Sequence, residues 1–417
     1  MNGASRSDSV GGGGRATGGQ NDTVFRRRIS PTERLYFPNR ELTPPFLMHI
    51  AVHGDGALDP AVLRSAVEAA SAANPGSRLI REGDDWVDSG VAAAVRVVEG
   101  STLDYATLED DAVLNSPIGP TAERTCEVLL LTGERTTIVF RVFHGVMDGM
   151  GVRMWVDDVF RALRGATPLG APDPVADTEL LARVGAPGKP TLVLPTYPSA
   201  VGSGRQDPDA SRWLLRHRTI PATGKGILAR VCAVLAAETG AKSRFMIPVD
   251  LRRHDPELRS TANLALPLFL DVTPGDSWQA VNAQLRAGLQ EKRELNELDN
   301  GRLSLFPMPV IRTVLRLSNW LGARLNRNMV TATVTHMGRF DPAELAVPGW
   351  TPAVVRVIPQ HSGAMPLLFG LAECAGKIEL TVSCRNGAGI APRLEALLDE
   401  IATTLTTELA QNDSSAR

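Results

Sequence analysis

The spacing of apolar residues changes from strand-like to helical at residue 144. Before this point, apolar residues at 127–131 and 137–143 flank a polar turn, which predicts a β-hairpin. After it follows an apolar series with helical spacing, namely Val152, Trp155, Val156, Val159, Phe160 and Leu163. Charged residues fill the opposite side, so we expect an amphipathic helix packed against a core. His144 therefore lies at a turn from a strand into a helix.

The rest of the chain mixes short strand patterns with longer helical ones. A helix is predicted to begin at Pro60, after an Asp59 cap, and to end before Asn74. Further helices are predicted at 227–237, 277–295, 310–325 and around 394–405, and strands at 243–249, 264–272, 330–336 and 377–384. Because strands and helices do not alternate regularly, the sequence favours an α+β fold over a doubly wound sheet.

Length and composition predict a tail and two domains. The 417 residues fit two domains better than one. Residues 1–24 are rich in Gly and Ser and are predicted to be disordered. A stretch rich in Pro and Gly begins at 165 and includes the predicted linker at 186–210. This linker separates an N-terminal domain at 25–185 from a C-terminal domain at 211–417.

Charge and cysteine content argue against several other classes of protein. The formal net charge of −2 gives no overall field that favours nucleic acid or an anionic membrane. No apolar run is long enough to span a membrane, and no metal-binding pattern is present. The four cysteines are widely spaced without a CxxC pair, which is typical of reduced thiols in a cytoplasmic protein.

The chemistry of the chain centres on His144, which is followed by Asp148 and Gly149. Histidine has an ordinary pKa near 6.5, so it is a natural general base at neutral pH. Its tautomer must be fixed, and a backbone carbonyl in the turn beginning at Gly145 is one way to do so. Asp148 either polarises His144 or locks the turn through an arginine, and the flexible Gly149 favours locking. The alternative is that His144 is a structural residue.

The pattern His144-x-x-x-Asp148-Gly149 resembles the active-site motif of the chloramphenicol-acetyltransferase-like superfamily. Its members include nonribosomal peptide synthetase condensation domains and polyketide-associated acyltransferases. Three other segments resemble motifs of condensation domains in the same order along the chain: 74–79, 247–252 followed by Asn263, and 335–339. The resemblance extends from about residue 28 to 405.

The resemblance implies two similar lobes that form a V-shaped pseudo-dimer with a central tunnel. A thioester donor, either acyl-CoA or an acyl or peptidyl carrier protein, would meet a small-molecule acceptor at His144. The acyl group would pass directly to an alcohol or amine, so neither a nucleophilic side chain nor a tightly bound cofactor or metal would be needed. We expect a monomer that acts in specialised metabolism.

The resemblance also implies a set of supporting residues around the motif, which comprises Arg78, Arg252, Asn263, Thr335 and His336. Asp148 would pair with one of the two arginines. Asn263 and Thr335 would hold the acceptor or the developing oxyanion, and His336 would bind substrate or support the site.

The chain departs from the condensation-domain pattern at two positions. Phe143 replaces the first histidine of the HHxxxDG form, and His336 stands where asparagine is usual. These departures keep a second hypothesis open, in which the chain is a non-catalytic module that docks a carrier protein. A third hypothesis is a related fold that uses the same histidine for cyclisation or elimination.

Overall fold

The computed structural model describes Met1 and residues 24–43, 45–118, 124–185, 190–191, 193–207, 209–297, 306–363 and 365–415, with side chains up to 410. Apart from Met1 and Val24, the predicted disordered tail at 1–24 lies outside these residues. Parts of the predicted linker at 186–210 also lie outside them.

Within the described residues, helices and strands are mixed along the chain. The helices are α1 Pro31–Arg34, α2 Tyr36–Leu42, α3 Pro60–Ala73, α4 Gly149–Leu163, α5 Asp177–Val184, α6 Ile227–Thr239, α7 Trp278–Gln290, α8 Met308–Leu325, α9 Pro342–Leu345 and α10 Ile390–Ser415. The strands are β1 Arg26–Arg28, β2 Leu47–Gly56, β3 Leu79–Glu82, β4 Asp85–Asp88, β5 Ala94–Glu99, β6 Cys126–Thr132, β7 Thr136–Phe143, β8 Trp213–Ile220, β9 Ser243–Asp250, β10 Ala265–Val272, β11 Ala332–Phe340, β12 Trp350–Ile358, β13 Leu367–Cys374 and β14 Lys377–Arg385.

The first large sheet has the strand order β12-β2-β7-β6-β5. Its pairs are antiparallel except for β5 and β6. Helices α3 and α4 cover one face, where Leu63 and Trp155 pack against Ile138 and Phe140. A small sheet with the order β1-β4-β3 contributes Trp86 to the same core. This core therefore supports both β7 and α4, which flank His144.

The second large sheet has the strand order β10-β9-β11-β13-β14-β8, in which β11 lies parallel to both of its neighbours. Helices α6 and α10 bury Leu235, Leu394 and Leu398 against it. The two sheets meet where Leu215 of β8 packs with Val139 of β7. The α+β fold with two lobes is confirmed.

One strand from the C-terminal half of the chain belongs to the first sheet. Residues 350–358 fall within the predicted C-terminal domain, yet β12 pairs with β2 of the first sheet, from Trp350 opposite Gly56 to Ile358 opposite His49. Trp350 is buried in the first core and stacks on Phe160, with ring centroids 6.0 Å apart. Because of this pairing, the first sheet needs residues from both halves of the chain.

Most local predictions are confirmed, and several elements end elsewhere than predicted; the last helix, for example, reaches Ser415 rather than about 405. The β6–β7 hairpin and α4 form as predicted. Helix α7 ends at Gln290 rather than 295, because Lys292 adopts the left-handed conformation with φ 53°. Strand β11 extends to Phe340 through an irregularity after His336. All four cysteines are unpaired and buried.

Candidate active site

His144 lies in a tight turn between the end of β7 and the start of α4. The Val146 amide donates to the Phe143 carbonyl at 3.0 Å, which closes the turn. A Cβ atom at Gly145 would collide with the Phe143 ring, so glycine is required there. Val146 and Met147 are fully buried in the first core. The turn is therefore anchored on both sides of the histidine.

The ring of His144 is held in one tautomer. Its Nδ1 lies 3.0 Å from the Met147 carbonyl oxygen. Because a carbonyl only accepts hydrogen bonds, Nδ1 must carry the proton, and in the neutral ring Nε2 then carries a free lone pair. Nε2 has no hydrogen-bond partner among the residues that the structure describes, and the side chain is partly exposed. The site therefore presents an unprotonated nitrogen.

The surroundings of His144 favour its neutral form. Burial lowers the pKa of His144 below 6.5, while the hydrogen bond to Met147 and the charge of Asp148 act against this shift. Tyr36 stacks on the imidazole with ring centroids 4.6 Å apart and an interplanar angle of 18°. The lowered pKa keeps His144 neutral at physiological pH, and the stacking fixes the plane of its ring.

Asp148 ties the turn to the C-terminal half of the chain. Its side chain caps α4 by accepting a hydrogen bond from the Gly151 amide at 2.7 Å. It also accepts from the Leu264 amide at 2.7 Å and from both terminal nitrogens of Arg252 at 3.0 and 3.2 Å. These contacts correspond to the locking role of Asp148, since they engage both carboxylate oxygens.

Arg252 is itself held by groups of its own half. It donates to Asp250 at 2.6 Å and to the carbonyl oxygens of Ser260 and Ala262, each at 2.8 Å. Arg252 is 9% exposed and Asp148 is 2% exposed, so this ion pair is largely shielded from water. Asp148 raises the pKa of Arg252, which counters the effect of burial. The guanidinium therefore stays charged and its orientation is fixed.

Arg78, the other arginine expected to pair with Asp148, lies elsewhere in the network. It forms an ion pair with Asp88 at the end of β4. The expectation that Arg78 could pair with Asp148 is therefore wrong. Arg78 is the last residue of the 3₁₀ turn Pro75–Arg78, and the antiparallel pairing of β3 with β4 brings Asp88 next to it.

Asn263 contacts the backbone of the proposed base. Its side-chain amide donates to the His144 carbonyl oxygen at 2.7 Å, and the residue is 3% exposed. Asn263 therefore holds the turn from the C-terminal half, next to the Leu264 amide that binds Asp148.

Gly149 lies where β11 approaches α4, and Thr335 and His336 lie within β11, just before Met337. A Cβ atom at Gly149 would contact the thioether of Met337, so glycine allows this approach. Thr335 pairs with Gly370 in the sheet. The His336 ring accepts a hydrogen bond at 3.2 Å from the Gly338 amide, two residues further along the same strand. Burial lowers the pKa of His336.

The sequence analysis missed the N-terminal support of the turn. Arg27 donates to the Val146 carbonyl oxygen at 2.9 Å and forms a buried ion pair with Glu33 at 2.7 Å. Glu33 also completes a capping box with Ser30, which starts α1 and leads directly to Tyr36. The capping-box spacing is visible in the sequence, but the contacts of Arg27 and Tyr36 with the turn are not.

Among the described ranges, no group of three or more His, Cys, Asp or Glu side chains is placed to hold a metal ion. His53, which follows His49 at a spacing of four residues, is hydrogen-bonded to Thr137 at 3.0 Å and to Tyr105 at 2.7 Å.

Comparison with solved structures identifies the class of fold. The chain is similar to a variant of the starter condensation domain of rhizomide synthetase, solved in complex with C8-CoA and Leu-SNAC. The TM-score is 0.60, the identity is 16%, and the match covers 92% of this chain and 95% of that domain. No family model matches the sequence, and no curated protein matches it.

Two further solved structures show the same similarity. The condensation domain from monacolin K polyketide synthase matches with a TM-score of 0.59 and 14% identity, over 93% of this chain and 98% of that domain. The first condensation domain of the calcium-dependent antibiotic synthetase matches with a TM-score of 0.59 and 17% identity, over 93% and 97%. The chain therefore has the two-lobe fold of these condensation domains.

Proposed function

We propose that this chain transfers an acyl group from a thioester to an alcohol or an amine, with His144 as the general base. The observation that carries the proposal is the bond from Nδ1 to the Met147 carbonyl, because it leaves the Nε2 lone pair free on a partly exposed ring. A general base in this position contributes roughly 10²–10⁴-fold to the rate.

The proposed reaction needs no covalent intermediate with the protein. Nε2 of His144 removes the proton from the acceptor O–H or N–H as that atom attacks the thioester carbonyl carbon. The tetrahedral intermediate then collapses with cleavage of the C–S bond, and the imidazolium returns the proton to the leaving thiolate. An ester or amide and a free thiol result. Asp148, Gly149, Arg252 and Asn263 act by holding the turn, and Thr335 is the remaining candidate for contact with the acceptor.

The donor in this proposal is an acyl-CoA or a phosphopantetheinyl thioester on a carrier protein. The similar rhizomide domain was solved with C8-CoA and Leu-SNAC, which supports a donor of this kind here. The acceptor and donor would enter a tunnel between the lobes. We place the reaction in specialised metabolism, as the polyketide and peptide synthetases among the similar structures suggest.

The test is product formation from a panel of acyl-CoA and acyl-pantetheine thioesters with alcohols and amines, followed by mass spectrometry. The proposal predicts that wild type forms products and that His144→Ala does not, although it remains folded. His254→Gln is the control, because His254 is a partly buried histidine bound to Glu294 in the second lobe.

The second candidate function is a non-catalytic module that docks a carrier protein. It is favoured by Phe143 at the first histidine position and by His336, whose ring nitrogen is engaged by the Gly338 amide. If wild type and His144→Ala bind a carrier protein equally and neither turns over any thioester of the panel, this second function replaces the first.

A further inference from the structure

Helix α8 presents two different apolar faces. One face packs on the N-terminal lobe, where Ile311 and Leu315 are buried against Leu35 and Leu42 beside α2. This contact joins α8 to the helix that carries Tyr36, the residue stacked on His144. The packed face accounts for only part of the apolar residues of the helix.

The second face of α8 is apolar and exposed. Six of the twelve large apolar residues that are exposed within the described residues lie in this short segment, at 43–56% exposure: Phe306, Val310, Val314, Leu317, Trp320 and Leu325. Spacings of three and four residues place most of those within the helix on one stripe, which is about 22 Å long. A contiguous exposed apolar stripe of this kind marks an interaction surface.

The same segment is entirely cationic. Residues 306–327 contain four arginines and neither Asp nor Glu. Arg312 pairs with Glu41. Arg316, Arg324 and Arg327 are exposed, and they form no ion pair with a residue that the structure describes. The near-neutral charge of the whole chain hides this local patch.

We propose that α8 is an interfacial helix that docks the protein onto an anionic lipid surface. A helix with exposed Trp, Leu and Val on one face and arginines beside them lies in the boundary between headgroups and acyl chains. The apolar stripe would enter that boundary, and Arg316 and Arg324 would contact lipid phosphates. Trp320 suits the same depth, since its ring is apolar and its N–H is polar.

The charge of the patch argues against a second copy of the chain as the occupant. In a two-fold dimer the same surface meets itself, so the exposed arginines of the two copies would be brought close together. Like charges at close range oppose such a contact. An anionic surface, in contrast, supplies the opposite charge along the whole helix.

The experiment is co-sedimentation of the full chain with two kinds of vesicle, phosphatidylcholine alone and phosphatidylcholine mixed with phosphatidylglycerol. We expect binding to the mixed vesicles and weak binding to the neutral ones. Leu317→Glu should weaken binding at least about tenfold, because a carboxylate replaces a side chain that enters the boundary. Arg316→Gln and Arg324→Gln should each weaken it about fivefold.

Matched controls come from α3, which exposes one apolar and one basic residue on another surface. Val62→Glu and Arg64→Gln should bind the mixed vesicles as wild type does. Thermal unfolding verifies that each variant is folded. If Leu317→Glu unfolds, Trp320→Ser replaces it, with the same expected loss of binding.

Three results would overturn the lipid proposal. The first is wild type that does not sediment with the mixed vesicles, and the second is Leu317→Glu or its replacement binding as wild type does. The third is that wild type does not bind vesicles but self-associates or binds an acidic carrier protein, and that Leu317→Glu loses this association. In that case the stripe is a protein interface. Since none of these readouts depends on acyl transfer, they are separate from the test of the proposed function.

Discussion

At the scale of single residues, the protonation state of His144 follows from one hydrogen bond and from the burial of its ring. The Met147 carbonyl fixes the proton on Nδ1, and burial opposes a second proton on the ring. The neutral ring therefore keeps a free lone pair on Nε2, while the Asp148 carboxylate is engaged by Arg252 and two backbone amides.

This state predicts the pH dependence of acyl transfer. The neutral ring is active, so the rate falls as pH falls through the pKa of His144. Because that pKa lies below the ordinary 6.5, kcat/KM should stay constant from neutral pH down to below 6.5 and decline only beyond it. An acid limb centred at pH 7 or above in wild type would contradict the predicted state of the ring.

The two arginines expected near Asp148 should differ in their effect on stability. Arg252→Met leaves Asp148 buried without its partner, which should lower the free energy of unfolding by about 3–5 kcal/mol. Arg78→Met removes a more exposed pair with Asp88 and should cost about 1 kcal/mol. Urea unfolding measures both, and equal losses would contradict this assignment.

The sequence could not choose between these two arginines. Both lie within recognisable segments, and the motif around His144 contains no information on which distant arginine contacts it. The choice depends on the loop after β9, where the carbonyl oxygens of Ser260 and Ala262 orient Arg252 towards Asp148. Such a contact joins residues more than one hundred positions apart, and no local pattern encodes it.

At the scale of elements, the two halves of the chain are in close contact at the start of α4. A Cβ atom at Gly151 would collide with the backbone carbonyl of Thr261, whereas one at Gly149 would meet only the Met337 side chain. Backbone cannot move aside as a flexible thioether can. The first turn of the helix therefore requires glycine more strictly at 151 than at 149.

Helix propensity and packing predict opposite effects of a Gly→Ala substitution on the stability of the protein at these positions. In an isolated helix, Gly→Ala stabilises by up to about 1 kcal/mol. Here Gly151→Ala should destabilise by about 1–3 kcal/mol, and Gly149→Ala should cost less, because Met337 can change rotamer. Urea unfolding of the two variants tests this, and the prediction is wrong if Gly151→Ala is as stable as wild type.

Elements with strong local periodicity were predictable, and long-range pairings were not. The β6–β7 hairpin and α4 each bury one face and therefore carry a regular apolar spacing. The pairing of β12 with the first sheet leaves no signal of this kind in the sequence, since a strand has the same apolar spacing in either sheet. The exposed stripe of α8 also looked like an ordinary core face, because apolar spacing does not show what covers it.

At the scale of the whole molecule, buried histidines link stability to pH. Burial lowers the pKa values of His49, His53 and His361 to about 3, so they bind protons on unfolding at any pH between about 3 and 6.5. Asp177, with a pKa raised to about 6, and the half-exposed Asp157 act in the opposite direction, because the folded protein binds their protons first.

The balance predicts that stability falls as pH falls below 6.5. A net uptake of about one to two protons on unfolding corresponds to about 1.4–2.8 kcal/mol per pH unit near pH 5. Urea unfolding across this range measures the slope. Unfolding of His361→Gln should take up about one proton fewer, so its slope should be correspondingly smaller. Constant or rising stability on acidification would contradict the proposed protonation states.

The central claim is that the free Nε2 of His144 removes a proton in acyl transfer, and single-turnover kinetics test it most directly. With a thioester that wild type accepts, His144→Ala should lose roughly 10²–10⁴-fold in the rate of the chemical step. Calorimetry should show that the variant still binds the thioester. If His144→Ala is folded, binds the thioester and retains most of the wild-type rate, His144 is not the base.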